Sequence, residues 1–156
     1  MGPMLRAYAA LAAELETALI GAGLLTHPGQ LAIDPPDSIL EEGEPDGVLA
    51  AAALVEVETL PVRTVMGGPG PRYVVERTVR LSASVASPEK DWRDGVAARV
   101  AEAVATLQVR KPTLDDAAER LMLTDATPED LPPNGVSCLF TFVLRVRSGD
   151  PLGLTD

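Results

Sequence analysis

Apolar and polar residues alternate along a stretch in the middle of the chain, which indicates a long, half-buried strand. Across residues 73–85 the apolar side chains occupy odd positions, and from Glu76 onward the even positions are charged or carry a hydroxyl. A period of two is typical of an antiparallel strand with one face on a core. The apolar face comprises Tyr73, Val75, Val79, Leu81, Ala83 and Val85. Arg77 interrupts that face, which predicts that this end of the strand leaves the core or meets another subunit.

Two more segments alternate in the same way. Residues 48–60 carry apolar side chains at odd positions from 49 to 57, and the ending Val-Glu-Val-Glu-Thr favours a strand over a helix. Residues 136–147 alternate most regularly, with Cys138, Phe140 and Phe142 on the apolar face. We expect this last strand to be central or packed under helices. The Pro- and Gly-rich segment 61–72 predicts a hairpin with a protruding tip between the first two strands.

Apolar residues at spacings of three and four predict two helices. The first covers residues 4–20, and its apolar side comprises Leu5, Tyr8, Leu11 or Ala12, Leu15 and Leu19. The second starts after Ser87 as N-cap, with Pro88 at its first position. Its apolar stripe comprises Trp92, Val96, Val100, Val104 and Leu107. We therefore expect Trp92 to lie in the core.

The remaining segments are predicted to be minor elements. A short helical turn is expected from Thr113 to about Leu121, a brief strand at residues 121–123, and a loop at residues 128–135. Together these elements predict an α+β fold: an antiparallel sheet of about four strands with two main helices packed on one face. Residues 1–149 are expected to form a single domain, and residues 150–156 a disordered tail.

Charge and cysteine content restrict the functions that the chain can have. The net charge of −10 argues against binding to nucleic acid, because such binding relies on Lys and Arg displacing counterions from phosphates. One cysteine excludes an intramolecular disulfide and any Cys-rich zinc site. No stretch is long and apolar enough to span a bilayer, so no membrane partner is expected.

Residues capable of catalysis or metal binding do not form a recognisable motif. The run Gly67-Gly68-Pro69-Gly70 leads into a strand, whereas a phosphate-binding loop opens a helix and carries Lys and Ser or Thr. Cys138 shares the apolar face of its strand, and His27 lies in a turn between Thr26 and Pro28. The acidic segment 34–46 lacks the regular spacing of a calcium loop. We therefore predict no catalytic residue, no cofactor and no metal.

The order of these segments resembles the tail terminator proteins of long-tailed bacteriophages, of the minor tail protein U type, and their relatives in phage-derived particles. The resemblance covers most of the chain: a first helix, a Pro- and acid-rich loop, a strand ending Leu54-Val55-Glu56-Val57-Glu58, and residues 73–85 leading through Ser87-Pro88 into the second helix. The closing run from Asn134 to Leu144 is similar to the family's final strand. The long Pro-Gly loop at residues 61–72 departs from the family pattern.

The resemblance implies a structural protein of the virion and not an enzyme. In this family a ring, usually of six copies, caps the head-proximal end of the tail tube, stops tube growth and joins the head. The implied partners are further copies of the chain, the tail tube protein and the head-completion or stopper protein. The ring is assembled in the bacterial host cytoplasm, and DNA passes through it without specific binding.

Contacts between copies are expected at the hairpin of residues 61–73, at the acidic loop of residues 34–47, and at two arginines on exposed strand positions. The interface residues predicted on this basis are Arg63, Met66, Arg72, Tyr73, Arg77, Arg80, Glu41, Glu42 and Glu44. Two other functions stay open. One is a different neck or connector component of the same particle, and the other is a small cytoplasmic α+β enzyme using residues such as Asp91, Arg99 and Glu119.

Overall fold

The computed structural model describes residues 2–34, 48–49, 51–65, 72–109 and 118–155. Within these residues the chain forms two helices and five strands: α1 (Pro3–Gly21), β1 (Leu31–Ile33), β2 (Ala51–Val65), β3 (Arg72–Ala86), α2 (Lys90–Val109), β4 (Ala118–Leu131) and β5 (Gly135–Ser148). The predicted α+β class is confirmed. The sheet has five strands among the described residues, one more than predicted, because β1 adds a short parallel strand beside β2.

The sheet has the strand order β1-β2-β3-β5-β4, and every pairing except that of β1 with β2 is antiparallel. Strands β3 and β5 lie inside the sheet and pair without a register shift from Tyr73 opposite Ser148 to Ala86 opposite Gly135. The prediction that the last strand is interior is therefore confirmed. Its regular alternation suits this place, because each interior strand has one face on the core and both edges paired.

A single hydrophobic cluster contains buried residues of the sheet and of both helices. The odd positions of β3 and the even positions of β5 lie opposite one another, as in the pairs Val79 with Phe142 and Leu81 with Phe140. Helix residues of the same cluster are Leu11, Leu15 and Leu19 in α1 and Val96, Val100, Val104 and Leu107 in α2. The helical spacing predicts the burial of these residues correctly, and Cys138 is a core residue as expected. Leu5, predicted on the same side of α1, is 41% exposed, so that part of the prediction is wrong.

Trp92 is not in the core, so this prediction is wrong. The helix begins at Lys90, two residues after the predicted start, and Trp92 in its first turn is 43% exposed. The buried stripe of α2 starts one turn later at Val96. Spacing along a helix determines which way a side chain points. Burial also requires other residues to pack against that side chain, and the core cluster does not include Trp92.

The region after α2 differs most from the prediction. Residues 118–131 form one 14-residue strand, β4, where the sequence predicts the end of a helical turn, a short strand and the start of a loop. Residues 113–117 lie outside the described residues. Strand β4 is at the edge of the sheet, and the side chains of residues 124–130 are exposed. Its sequence therefore lacks a strong alternation, and an edge position tolerates Pro128.

The C-terminal residues form a turn, whereas the composition predicts a disordered tail. The Asp150 carboxylate accepts hydrogen bonds from the backbone N–H of Leu152 at 2.8 Å and of Leu154 at 2.9 Å, and from Thr155 Oγ1 at 2.7 Å. The bond from Thr155 and the backbone bonds lower the pKa of Asp150 to about 2. A short polar segment is thus ordered by one carboxylate that accepts several local donors.

This turn also holds the start of α1. The backbone N–H of Met4 donates to the Gly153 carbonyl oxygen at 3.1 Å. Gly153 has φ +78°, and an added Cβ would lie 2.8 Å from Met4 Cβ, so glycine suits both the backbone conformation and the close approach. This hydrogen bond therefore holds the first turn of α1 against the C-terminal turn, next to the end of β5.

Candidate functional site

The β2–β3 hairpin extends past the end of β1, so among the described residues the outer edge of β2 is free there, while β3 stays paired with β5. Strand β1 pairs with β2 only from Ala52 to Leu54, and Leu54 lies opposite Leu81. We call residues 55–65 of β2 and 72–80 of β3 the hairpin arm. Val57 and Leu60 on this arm are exposed by 48% and 52%. The predicted hairpin strands are confirmed, but the predicted apolar face of the first strand is wrong: the even positions Ala52 and Leu54 lie opposite core residues of β3 and join the core. The tip at residues 66–71 lies outside the described residues.

The free edge of the arm is poorly suited to pairing with another strand. Among the described residues no strand pairs with the outer edge of β2 beyond Leu54. The register shifts twice, between Glu56 and Glu58 and between Pro61 and Arg63. Bulges and prolines are features that protect edge strands, because they displace or remove backbone donors. The arm is therefore better suited to contacts through its side chains.

Arg77 is a buried arginine of the arm and belongs to a polar cluster whose carboxylates are exposed. Its guanidinium is 5.3 Å from the centre of the Tyr8 ring, donates from Nε to Thr59 Oγ1 at 3.0 Å, and lies 3.6 Å from Glu56 Oε1. Thr59 Oγ1 in turn donates to Glu56 Oε1 at 2.6 Å. Arg77 is only 7% exposed, so the expectation of an exposed Arg77 that answers a neighbour's carboxylate is wrong.

Asp34 extends this cluster to the first helix. Its carboxylate accepts from Tyr8 Oη at 3.3 Å and from the Glu56 backbone N–H at 2.9 Å, while Tyr8 also donates to the Leu54 carbonyl oxygen at 3.2 Å. Burial and the negative charge of Asp34 raise the pKa of Tyr8. The tyrosine therefore stays a neutral hydrogen-bond donor.

We call Tyr8, Asp34, Glu56, Thr59 and Arg77 the polar junction. These residues come from α1, the residue after β1, β2 and β3, so the junction connects the base of the arm with the helical layer. Charge-assisted hydrogen bonds are stronger than neutral ones, and they hold side chains in one geometry. Since β3 is already held by β5, the junction adds a link between the hairpin arm and α1.

The opposite face of β3 carries a second ion pair. Arg145 on β5 donates from Nε to Glu76 Oε1 at 2.9 Å, and the two residues are directly opposite in register. Both side chains are about one-quarter exposed. A partly exposed cross-strand pair contributes modestly to stability, and here it neutralises one glutamate of the arm.

The predicted interface residues have different outcomes. Arg72 and Arg80 are exposed, and neither forms an ion pair within the part of the chain that the structure describes. Tyr73 is half-buried against the core. The backbone of Arg63 is in β2, but its side chain is not described. Four predicted residues lie outside the described residues, namely Met66, Glu41, Glu42 and Glu44.

The polar junction was not predicted from the sequence. Its only signals were Arg77 on an apolar face and Tyr8, the one polar group in the stripe of α1. Helical and strand periods place each of these residues on a core-facing side, but no period relates α1 to β3. The two residues meet only in the tertiary structure, where the Arg77 guanidinium lies 5.3 Å from the centre of the Tyr8 ring.

No protein-family model matches the chain, and no curated protein matches it either.

Reactive side chains do not converge in the part of the chain that the structure describes. No group of three or more His, Cys, Asp and Glu is placed to hold a metal there. Burial raises the pKa of the Cys138 thiol, and His27 is in an exposed turn with Nδ1 3.1 Å from the Pro28 oxygen. Arg99 Nη2 donates to the Ala22 carbonyl oxygen at 2.6 Å, while Asp91 is exposed two turns away along the same helix. No described helix is long and apolar enough to cross a membrane.

Proposed function

We propose that this protein forms a ring, with six copies as the expected number, at the head-proximal end of a phage tail tube. The ring ends tube polymerisation and presents its other face to the head-completion protein. Its partners are other copies of the chain, the tail tube protein and that head-completion protein. The protein belongs to the virion and is assembled in the bacterial host cytoplasm.

The observation that carries this proposal is the hairpin arm on its polar junction. A ring requires each copy to present one surface to a neighbour and to receive the neighbour on a different surface. The arm supplies such a surface, because it extends past β1, exposes Val57 and Leu60, and carries exposed Arg72 and Arg80. Pairing of β3 with β5 and the polar junction both hold this surface in place before assembly, which lowers the entropic cost of forming the ring.

Two further features support the same role. The net charge of −10 lets DNA pass through a ring without adhering, because like charges repel at short range. We also infer that both helices cover one face of the sheet, since their buried side chains join a cluster with that face. The other face and the arm then remain for contacts with partners.

Deleting this gene in a particle-producing strain is expected to give overlong tail tubes without heads, visible by electron microscopy of lysates. Tube length returns to normal when the gene is supplied again, because the ring halts addition of tube subunits. Tails of normal length that fail to join heads would instead indicate a connector protein. Intact infectious particles would contradict a role in the virion.

Charge reversal at Arg80 is expected to weaken ring assembly about tenfold or more while leaving the monomer folded. Arg80→Glu places like charge against a neighbour's carboxylates, and such juxtaposition costs several kcal/mol at an interface. Because Arg80 is exposed, we expect the free energy of unfolding to change by no more than about 0.5 kcal/mol. Sedimentation velocity measures assembly, and thermal unfolding measures stability.

The matched control for this change is Lys90→Glu, which makes the same charge change at a side chain of α2 that is 77% exposed. It is expected to assemble as the unmodified protein does. Unchanged assembly of the Arg80→Glu variant would remove Arg80 from the interface.

A further inference from the structure

The central pair of strands has two ends that differ in their surroundings. Strands β3 and β5 pair from Tyr73 opposite Ser148 to Ala86 opposite Gly135, so the two ends lie about 45 Å apart at roughly 3.4 Å per residue. Helix α2 begins at Lys90, shortly after β3 ends at Ala86. The C-terminal turn follows β5 at the other end. Each end is therefore a surface built from several elements.

One of these ends is positively charged. We call residues 2–6, 72–76 and 145–155 the basic end, which the hydrogen bond from Met4 to Gly153 ties to the start of α1. Its charged residues are four arginines and two acidic residues, namely Arg6, Arg72, Arg145, Arg147, Glu76 and Asp150. Glu76 is paired with Arg145, and Asp150 accepts donors of its own turn. The described residues of this end therefore carry net positive charge, in a chain whose net charge is −10.

The opposite end is negatively charged. We call residues 84–95 and 127–137 the acidic end, where the Ser87 N–H donates to the Asn134 carbonyl oxygen at 2.9 Å. Its charged residues are five acidic residues, all exposed, and two basic residues, namely Glu89, Asp91, Asp94, Glu129, Asp130, Lys90 and Arg93. Lys90 is neutralised by Asp94 at 2.8 Å. The chain thus carries opposite charges at its two ends.

Both ends also expose large apolar side chains. Trp92 is exposed at the acidic end, and Leu152 and Leu154 of the C-terminal turn are exposed at the basic end. A Cβ added at Gly95, one turn after Trp92, would meet no neighbouring atom within 4 Å, so this side of α2 is open. The pair of Lys90 and Asp94 lies on the other side of α2, because residues two apart differ by about 200° around a helix.

We propose that the basic end of one copy of this chain docks on the acidic end of a second copy, with Leu152 and Leu154 against Trp92. Interfaces combine an apolar centre with a polar rim, and tryptophan is a frequent anchor of such centres. A second copy fits because the chain itself carries both the charge and the apolar side chains that each end requires. Exposed Arg72 then faces carboxylates such as Asp91 across the rim.

The contact joins two different surfaces of the same chain, so it is heterologous. Repetition of the same rotation from copy to copy closes a ring. The inference therefore rests on the proposed function and deepens it, since it names the two surfaces through which the copies of the ring meet.

Trp92 is the one tryptophan of the chain, so tryptophan fluorescence reports this contact directly. When the concentration of the purified full chain is raised, sedimentation velocity is expected to show association. The emission maximum of Trp92 is expected to shift to shorter wavelength over the same concentrations, because the partner's leucines exclude water from the indole. Quenching by acrylamide is expected to fall in parallel.

Charge reversal at either end is expected to weaken this association about tenfold or more. Arg72→Glu places a carboxylate opposite the acidic end, and Asp91→Arg places a cation opposite the basic end, each a like-charge contact. The double variant exchanges the two charges and is expected to associate more tightly than either single variant. Sedimentation velocity gives each association constant.

The matched control is Glu102→Arg, which makes the same charge change on the same helix as Asp91→Arg. Glu102 is exposed, lines the groove between α1 and α2, and lies about 16 Å along the helix from Asp91, outside both ends. This variant is expected to associate as the unmodified protein does, and circular dichroism establishes that every variant is folded.

Association that leaves the emission of Trp92 unchanged would overturn the contact between ends. The same conclusion follows from single variants that associate normally, a control that is equally disruptive, a double variant no tighter than the single ones, or a chain that stays monomeric at every concentration. Tail length in the deletion strain depends on none of these results, so termination and the contact between ends fail separately.

Discussion

Replacing Phe142 with alanine is expected to lower the free energy of unfolding by about 3 to 5 kcal/mol. Phe142 is fully buried, and it is the largest such side chain among the described residues. It lies on interior strand β5, opposite Val79 of β3 and Leu123 of β4. Neighbours held by paired strands cannot close the space that the ring leaves, so the cost includes a cavity as well as lost burial.

Chemical denaturation of the purified protein measures this loss from the change in midpoint at constant slope. Phe142→Leu is the matched control, because it keeps most of the apolar volume, and we expect it to cost clearly less than the alanine variant. A Phe142→Ala variant within about 1 kcal/mol of the unmodified protein would show that this site is not the packed centre of the core.

Replacing Arg77 with alanine is expected to lower the free energy of unfolding by about 2 to 3 kcal/mol and to impair assembly. The change removes the cation over the Tyr8 ring and the donor to Thr59 Oγ1, and it leaves Glu56 without its partner. The Glu56 side chain is 39% exposed, so water partly solvates the remaining carboxylate. The loss therefore lies below that of a fully buried pair.

Two variants separate this explanation from a general effect of losing an arginine. Arg80→Ala removes a guanidinium from the exposed face of the same strand, and its unfolding free energy is expected to change by no more than about 0.5 kcal/mol. Arg77→Lys keeps the charge but not the planar fork, so an intermediate loss is expected. Equal stability of the alanine variants at positions 77 and 80 would show that the polar junction does not hold the arm.

The regular parts of the fold follow from local periodicity. Alternation along β3 and β5 and the helical spacing of Leu11, Leu15 and Leu19 each identify a core-facing side correctly. These segments are interior strands and a helix on the sheet, where burial imposes one pattern over many residues. Edge strand β4 is under no such constraint, so its exposed residues carried no period from which a 14-residue strand could be predicted.

Interactions between distant segments could not be predicted in this way. Arg77 interrupts an apolar face, which by itself is equally compatible with an exposed end or with a buried partner. In the structure Arg77 is buried, because α1 and β2 bring Tyr8 and Thr59 into contact with its guanidinium. The groove between α1 and α2 likewise depends on how two helices meet, which neither helix encodes alone.

The sequence by itself determined the α+β class, the core-facing sides of the helices and interior strands, the hairpin and the acidic balance of charge. The charge balance is a property of the whole composition. The other features are properties of single segments, on which burial imposes a periodic pattern of apolar and polar residues. Only the tertiary structure decided that Arg77 is buried, that Trp92 is exposed, that β4 forms an edge and that Asp150 orders the C-terminal turn. Each of these depends on which surface or hydrogen-bond donor lies opposite a side chain, and that is a property of the packed chain.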